Sequence, residues 1–325
     1  MSAPEEVVRL AEERAAARAA RDFSAADGLR DRIHDLGWEV TDRQGGFDLQ
    51  PVVTEEGPQP VDAADVPSLL DATPTFDASI HWVCEGWTDD IERALAAFRA
   101  TAGDRRLQFV IADVTGEALS RWSDADDVEV LWLTPDAGWA AARNAGLRRS
   151  LAPIVVALDG SIEPIGDVLG PLEHALADPG LGICGPFGIV TRDLREFHEA
   201  PDPGPCDAIE GYLMAFRRGV LTKVGGFDEK FRWYRTADIE LSFRVKDAGL
   251  RCAVVPVPVT KHEHRMWQAA TEDERASRSK RNFYRFLDRW RDHWDLVLSG
   301  EPEHHDLDLG HEHEHHGPVT MPEGR

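Results

Sequence analysis

No stretch of this 325-residue chain is apolar for long enough to cross a bilayer: runs such as IVVAL at 154–158 stop far short of the ~20 residues a span requires. The N-terminus carries no basic, apolar leader, and the four cysteines, Cys84, Cys184, Cys206 and Cys252, lie far apart with no C-x-x-C pair. These absences argue against a disulfide framework, a paired-cysteine metal site and an export signal, and make a reducing cytoplasm the expected setting. Positive charge is scarce as well. Against 59 acids stand 36 Lys and Arg, a formal net charge of −23, which argues against a broad nucleic-acid surface because phosphate binding needs concentrated positive charge. Residues 53–78 hold six acids and no base, and residues 300–325 hold seven acids and one arginine, so two segments that read as solvated linker and tail carry about half of the excess.

What is present suits a folded chain of one large or two modest domains, with 42% hydrophobic residues. Residues 5–37 predict two helices, EEVVRLAEERAAARAARDF and the shorter AADGLRDRIHDLG ending at Gly37, with a short strand from Trp38 to Thr41. Residues 53–76 contain four prolines and little periodicity, the mark of a linker. From Asp77 the pattern changes. SIHWV at 79–83, LQFVIAD at 107–113, VEVLWL at 128–133 and PIVVALD at 153–159 read as buried strands separated by helix or turn signals. Alternating strands and helices predict an α/β domain with a mostly parallel sheet, whose ligand crevice lies beyond the carboxyl ends of the strands.

The stretch at 225–264, GGFDEKFRWYRTADIELSFRVKDAGLRCAVVPVPVTKHEH, is the densest in chemistry. Leu241, Val245 and Ala248 are spaced as one helix face, Gly249 is placed to end the helix, and Asp238 falls in its first turn, where the helix dipole favours a carboxylate. Cys252–Val259 then alternates like a strand, with Pro256 and Pro258 marking an edge or an early end. A carboxylate at a helix start and imidazoles at a strand end can converge as base and metal ligand, or stand as a solvated helix start and surface histidines. The order of GGFDE, an acidic pair, Arg-x-x-x-Ala-Gly, V-P and a histidine closely resembles the C-terminal half of family-two glycosyltransferases of the GT-A fold. The resemblance spans about residues 77–298 of a domain expected at 77–299, and DAGWAAARNAGLRRS at 136–150 is similar to that family's A-R-N-x-G signature.

The resemblance implies an inverting transfer of a sugar from a nucleotide-diphospho-sugar to a hydroxyl of a glycan or lipid-linked glycan, as in cell-wall or polysaccharide biosynthesis. It matches Asp238 to the catalytic base and His262 to the histidine that completes a metal site. Asp113, Arg143, Asn144 and Asp159 become donor-binding residues, and Glu210, Gly211, Gly226 and Glu240 line the acceptor and sugar pocket. A strand-end aspartate such as Asp113 is also a common turn former, and Asp207 and Glu210 also read as ordinary loop acids. The family's D-x-D, which holds Mn²⁺ or Mg²⁺ against the diphosphate, reads here Asp159-Gly160-Ser161. A hard divalent ion prefers oxygen ligands, and the Ser161 hydroxyl brings less charge than a carboxylate, so a weakened metal site of Asp159, Ser161 and His262 is expected.

RAARDFSAADGLRDRIHDLGWEVTDRQGG at 18–46 is similar to the small C-terminal helical module of cysteinyl-tRNA synthetases. The synthetase's zinc and ATP motifs are absent, so residues 1–52 are expected to be a module for protein docking or self-association, with tRNA contact as the alternative. Toward the C-terminus, Thr271-x-x-Glu274 predicts a capping box before a basic helix with Phe283, Phe286, Leu287, Trp290 and Trp294 on one face. That helix packs on the domain or attaches peripherally to the inner face of a membrane. The His-rich tail at 300–325 is expected to be disordered. A non-catalytic nucleotide-sugar-binding scaffold is the competing function, supported by the altered D-x-D.

Overall fold

A computed structural model describes residues 3–43, 46–51, 59–122, 125 and 127–300. Residues 53–58 of the expected linker, and the tail beyond residue 300, lie outside the described residues. Contacts divide the chain into two units, Met1–Gln59 and Pro60–Arg325.

In the first unit, α1 (Glu5–Ala19) and α2 (Phe23–Asp35) precede β1 (Trp38–Arg43) and β2 (Gly46–Pro51), which pair antiparallel from Trp38–Pro51 to Arg43–Gly46. The Asp22 carboxylate caps α2 by accepting the Ala25 N–H at 3.1 Å. Val7, Leu10, Ala11, Ile33, Trp38 and Val40 form the core, so the alternation of Trp38 and Val40 continues the apolar face of the helices. Arg14 is buried against it and reaches both Asp42 oxygens, at 2.7 and 3.1 Å. The return strand β2 was not legible in the sequence.

The second unit runs β3 (Ala78–Cys84), α3 (Thr88–Thr101), β4 (Leu107–Asp113), α4 (Glu117–Trp122), β5 (Val128–Trp132), α5 (Trp139–Leu147), β6 (Ile154–Leu158), β7 (Ile162–Pro164), α6 (Leu169–Leu176) and β8 (Leu181–Gly185). Then come β9 (Gly188–Thr191), β10 (Phe197–Glu199), β11 (Gly204–Cys206), β12 (Ala208–Ile209), β13 (Leu213–Arg217), α7 (Arg218–Val224), α8 (Ala237–Asp247), β14 (Arg251–Val254), β15 (Val259–Lys261), α9 (Arg265–Ala269) and α10 (Glu272–Trp290). Eight strands make one sheet in the order β11-β14-β8-β13-β6-β3-β4-β5, with β13 and β11 antiparallel to the others. The expected mostly parallel α/β sheet is therefore the observed one. All seven residues of β4 are buried, as a central parallel strand covered on both faces requires. Along β6 the side chains alternate: Val156 and Leu158 enter one core cluster, Val155 and Ala157 the other.

The chain lays β3, β4 and β5 in one direction and then crosses back to place β6 on the far side of β3. This reversal opens a crevice at the carboxyl ends of β3 and β6, the place where open α/β sheets bind ligands. Two sequence expectations change. Residues 60–76 are part of the second unit, with Val61 bridging to Leu133, Ala63 and Val66 buried, and Leu69 N–H bonded to the Arg148 carbonyl at 2.7 Å. Val61 pairs at the carboxyl end of the edge strand β5, and the prolines of this segment hid its place in the fold. The strand expected over Cys252–Val259 is two strands, β14 and β15, interrupted where Pro256 and Pro258 cannot donate to a ladder. Gly249, at φ +78°, ends α8 in the left-handed region as expected.

The capping box of α10 is present, Glu274 N–H to Thr271 Oγ1 at 3.3 Å and Thr271 N–H to Glu274 Oε2 at 2.9 Å. Phe286 and Trp290 are buried against Phe243 of α8, at ring distances of 5.1 and 5.9 Å. Among the described residues no helix is long and apolar enough to cross a membrane.

Candidate functional site

Strands β3 and β6 pair from Ala78–Ile154 to His81–Ala157 and then part. Arg143 of α5 fills the opening, donating Nη1 to the His81 carbonyl at 2.7 Å and Nη2 to the Leu158 carbonyl at 3.1 Å. Burial holds its pKa down at about 10, offset by the charges of Asp159 and Glu85 on the crevice wall. The expected donor ligand is thus a buried cation that fixes the strand ends and sets the potential beneath them. Its neighbour Asn144 has the same structural character. The Asn144 amide bonds the Phe227 N–H at 2.7 Å and the Phe227 carbonyl at 2.8 Å, clamping the GGFDE loop. Gly226 serves that clamp and lies outside the pocket lining, because a Cβ there would stand 2.1 Å from Asn144 Oδ1.

Asp159, just beyond β6, accepts the N–H of Ser161 at 2.8 Å and its hydroxyl at 2.5 Å on Oδ1. Its Oδ2 faces Nε2 of His264 at 3.1 Å. Burial alone would raise this carboxyl, but the His264 ring and the Ser161 donors outweigh it and hold it below the usual carboxylate range. The histidine at Asp159 is therefore His264 and not His262. His262 instead places Nε2 2.6 Å from Glu163, because its backbone N–H is tied to the Ser161 carbonyl at the end of the β7–β15 ladder. Ser161 is buried with its hydroxyl committed to Asp159, and no group of three His, Cys, Asp or Glu that could hold a metal occurs among the described residues.

Asp159 and His264 are shared by two adjoining recesses. One is lined also by Glu85, Trp87, Asp90 and Arg265, and the other by Glu210, Gly211, Tyr212, Tyr234, Arg235 and Asp238. In the second, Asp238 projects from the first turn of α8 and accepts the Gly211 N–H at 2.7 Å and the Ile239 N–H at 2.9 Å. Burial raises its pKa, against the pull of those N–H donors and of Arg235. Glu210 is pushed up to about 7 by burial and by the Asp238 charge, with Lys261 and Arg235 acting the other way. Two carboxyls whose pKa values burial raises thus face one recess. Its aromatic wall is tied to the Asp159 side: the Tyr234 hydroxyl lies 3.2 Å from Nδ1 of His264, and the Tyr212 ring packs edge-on to the same imidazole at 5.6 Å.

Two further expected site residues are structural. Asp113 is fully buried and its carboxylate accepts the N–H groups of Thr115, Gly116, Ala118 and Leu119 and the Thr115 hydroxyl, all within 3.1 Å. It caps α4, the turn-forming alternative. Glu240 points away from the recess into ion pairs with Arg244 and Arg289, both at 2.9 Å, as its position two residues beyond Asp238 on a helix dictates. Of the two loop acids, Asp207 is buried in bonds to Thr191, Lys246 and Leu298, whereas Glu210 faces the recess. Sequence reasoning missed His264, Tyr212, Tyr234, Arg235 and Glu85. Glu85 follows β3 directly, its Oε2 is buried without a hydrogen-bond partner, and burial raises its pKa. A carboxylate immediately after the first parallel strand was the available signal.

No family model matches the chain. In fold, it resembles the crystal structure of GalNAc-T7 with UDP, GalNAc and Mn²⁺, at TM-score 0.57 and 16% identity, over 67% of this chain and 49% of that one. The fold is GT-A. In sequence, this GT-A unit is 28% identical over 156 residues to a pre-mycofactocin glycosyltransferase of Mycobacterium tuberculosis, covering 43% of this chain and 33% of the relative. It is 25% identical over 198 residues to the N-acetylglucosaminyl-diphospho-decaprenol L-rhamnosyltransferase of the same organism, covering 58% of this chain and 63% of the relative. The chain spans about a third of one of these curated relatives and under two thirds of the other. The first unit is similar to a cysteine–tRNA ligase of Opitutus terrae, 50% identical over 48 residues, which are 15% of this chain and 10% of the ligase.

Proposed function

We propose that the GT-A unit is an inverting glycosyltransferase, moving a sugar from a nucleotide-diphospho-sugar to a hydroxyl of a glycan or lipid-linked glycan. The observation that carries this reading is that Asp238 and the Asp159–His264 pair line a single recess. Asp238 takes the proton of the acceptor hydroxyl, and the oxygen attacks the anomeric carbon from the face opposite the diphosphate. The bond from that carbon to the leaving phosphate oxygen breaks as the new glycosidic bond forms, and configuration inverts. The Gly211 N–H fixes the carboxylate for this step, and Tyr234 fixes the imidazole beside Asp159. Glu210, Gly211 and the tyrosines form the acceptor and sugar wall, and Glu85 with Trp87 the nucleotide side.

The donor set beside the diphosphate position suits a weakly held divalent ion. Asp159 Oδ2 and His264 Nε2, 3.1 Å apart, offer one carboxylate and one imidazole, and Mg²⁺-type sites are often completed by substrate phosphates and water. Such an ion, Mn²⁺ or Mg²⁺, supplies Lewis-acid neutralisation of the departing diphosphate. The first unit serves docking or self-association, and the basic helix α10 contributes peripheral contact with an anionic membrane.

A second reading, a donor-binding scaffold without catalysis, is favoured by the committed Ser161 hydroxyl. A panel of nucleotide sugars with and without Mn²⁺, followed by thermal shift and by nucleotide release, separates the two. A donor that stabilises the chain and is turned over, to acceptor or to water, supports the enzyme; stabilisation with no turnover under any acceptor supports the scaffold.

A further inference from the structure

Between Arg275 and Leu287 the chain carries five cations, Arg275, Arg278, Lys280, Arg281 and Arg285, and no carboxylate, in a protein of net charge −23. Helical spacing turns Arg275, Arg278, Asn282 and Arg285 toward one side of α10. That side lies along the loop at 231–235: Asn282 Nδ2 donates to the carbonyls of Trp233 and Arg235, both at 2.8 Å, and the Arg278 guanidinium sits 4.8 Å from the Trp233 ring. The same loop delivers Arg235 into the recess beside Asp238.

Arg235 and Arg275 converge on one ring. Each guanidinium lies 4.8 Å from the indole of Trp267 on α9. Among the described residues no carboxylate is within ion-pair distance of either, and Arg275 Nε is buried without a hydrogen-bond partner. Two like charges held at one indole repel each other, and the aromatic ring attracts both without neutralising them. A stacked guanidinium keeps its edge N–H donors free, and that planar fork matches the oxygens of a phosphate. The position favours the acceptor over the donor, since Arg235 acts on Asp238 and Glu210.

We propose that Arg235 and Arg275, ordered on Trp267, form a subsite for the phosphate group of a phosphorylated acceptor, next to Asp238. The subsite rests on the glycosyltransferase reading for what the recess does, but its anion chemistry is tested separately. The acceptor's sugar would then be presented to Asp238 while its phosphate is gripped a short distance away, so an unphosphorylated sugar would bind without that anchor.

The test uses the full chain and inorganic pyrophosphate as probe, in chelator-treated buffer that removes the metal route, read by calorimetry and by thermal shift. It is run alone and in the presence of whichever of UDP, GDP or dTDP most stabilises the protein. With the nucleotide present, one pyrophosphate site should remain. Arg235→Gln and Arg275→Gln should each weaken it about tenfold, and the double variant should abolish it, as loss of a charge-assisted bond predicts. Arg275→Lys, which keeps the charge and loses the fork, should fall between. Its intermediate affinity also decides the matter if a glutamine variant melts early without ligand.

Unchanged pyrophosphate affinity in the folded double variant overturns the subsite. Complete displacement of pyrophosphate by the nucleotide overturns it too, because the anion then belongs to the donor. Vesicles of phosphatidylcholine with and without phosphatidylglycerol form the third arm. Binding to the anionic vesicles alone, dependent on the exposed Lys280 and Arg281 and without any pyrophosphate binding, would assign the helix to membrane headgroups instead. Failure of every nucleotide to stabilise the chain would sink the glycosyltransferase reading while leaving the pyrophosphate result to stand or fall on the arginines.

Discussion

His264 bridges the two halves of the recess: Nε2 stands 3.1 Å from Asp159 Oδ2, and Nδ1 stands 3.2 Å from the Tyr234 hydroxyl. A ring held at both nitrogens has its orientation set before any ligand arrives, and in a metal-bound state of the proposed site the hydroxyl would be the outer partner that tunes the imidazole.

Metal affinity should therefore follow His264. Its replacement by alanine is expected to weaken Mn²⁺ binding by at least the ~10-fold typical of losing an outer partner, and Tyr234→Phe by a smaller factor. His262→Ala should leave it nearly unchanged, since that ring is paired with Glu163. Ser161→Asp should tighten Mn²⁺ and, in metal-free protein, lower the melting temperature by setting a second carboxylate against Asp159. Paramagnetic titration of Mn²⁺ checks all four, and a larger loss from His262→Ala than from His264→Ala would refute the ligand assignment.

Glu210 gives a pH signature. Its carboxyl is pushed up to about 7 from an ordinary 4.5, so the folded chain holds that proton more tightly than the unfolded one. The stability linked to it is fully present below about pH 4.5 and is lost as pH rises through about 7. Asp238 and Glu199 push in this direction, and Lys261 and Arg235 oppose it. Glu210→Gln stays neutral throughout, so its melting temperature should gain on the parent's across that window and level off above it. A difference that is flat from acid to alkaline pH would mean that Glu210 does not titrate in the window.

The GGFDE loop is held by close approach. Gly226→Ala sets a methyl 2.1 Å from Asn144 Oδ1, and the clamp on Phe227 must open to admit it. The cost should be ~1–3 kcal/mol, read by denaturant unfolding, with Asn144→Ala costing a similar amount by leaving the Phe227 N–H and carbonyl unpaired. Because both act on one contact, the double variant should fall short of the sum. Additive losses would show that the two residues support the loop independently.

Residues 60–76 separate two truncations. A chain beginning at Pro60 keeps the bridge from Val61 to Leu133 and the buried Ala63 and Val66, whereas one beginning at Asp77 loses them and bares the sheet edge. The first is expected to melt near the parent transition of the GT-A unit, and the second to melt lower and to aggregate. Equal melting temperatures would mean that this segment adds nothing to the fold.

The parallel strands were legible because each is a short, mostly apolar run bounded by helix or turn signals, and Asp159 and Asp238 because each sits at the end of an element with a clear period. Pairing across 100 residues was not. Whether His262 or His264 meets Asp159 depends on the β7–β15 ladder, which ties His262 N–H to Ser161 and leaves the next alternate residue to turn inward. Asp113 was ambiguous for a related reason: a carboxylate at a strand end caps the following helix or binds a ligand, and only the count of N–H groups pointing at it decides. Arg143 and Asn144 read as binding residues in sequence because they match the A-R-N-x-G signature of the family the chain resembles, yet their polar groups serve backbone carbonyls and a loop inside the fold.

Asp238 decides between enzyme and scaffold. Displacement at an anomeric carbon needs a base beside the attacking hydroxyl, and loss of a positioned base typically lowers the rate ~10²–10⁴-fold. The carboxylate accepts the Gly211 N–H at 2.7 Å, a bond that the carbonyl oxygen of asparagine can keep, so Asp238→Asn should fold with the parent's stability. No nucleotide-side residue depends on it, because Glu85 and Trp87 line the other recess. Transfer should therefore collapse while the thermal shift produced by the donor stays close to the parent's. Glu240→Gln should do the opposite, lowering stability by loosening the Arg244 and Arg289 pairs and changing the rate per folded molecule little. Parent-rate transfer by Asp238→Asn would remove it as the base, and the next carboxyl to replace would be Glu210, which faces the same recess.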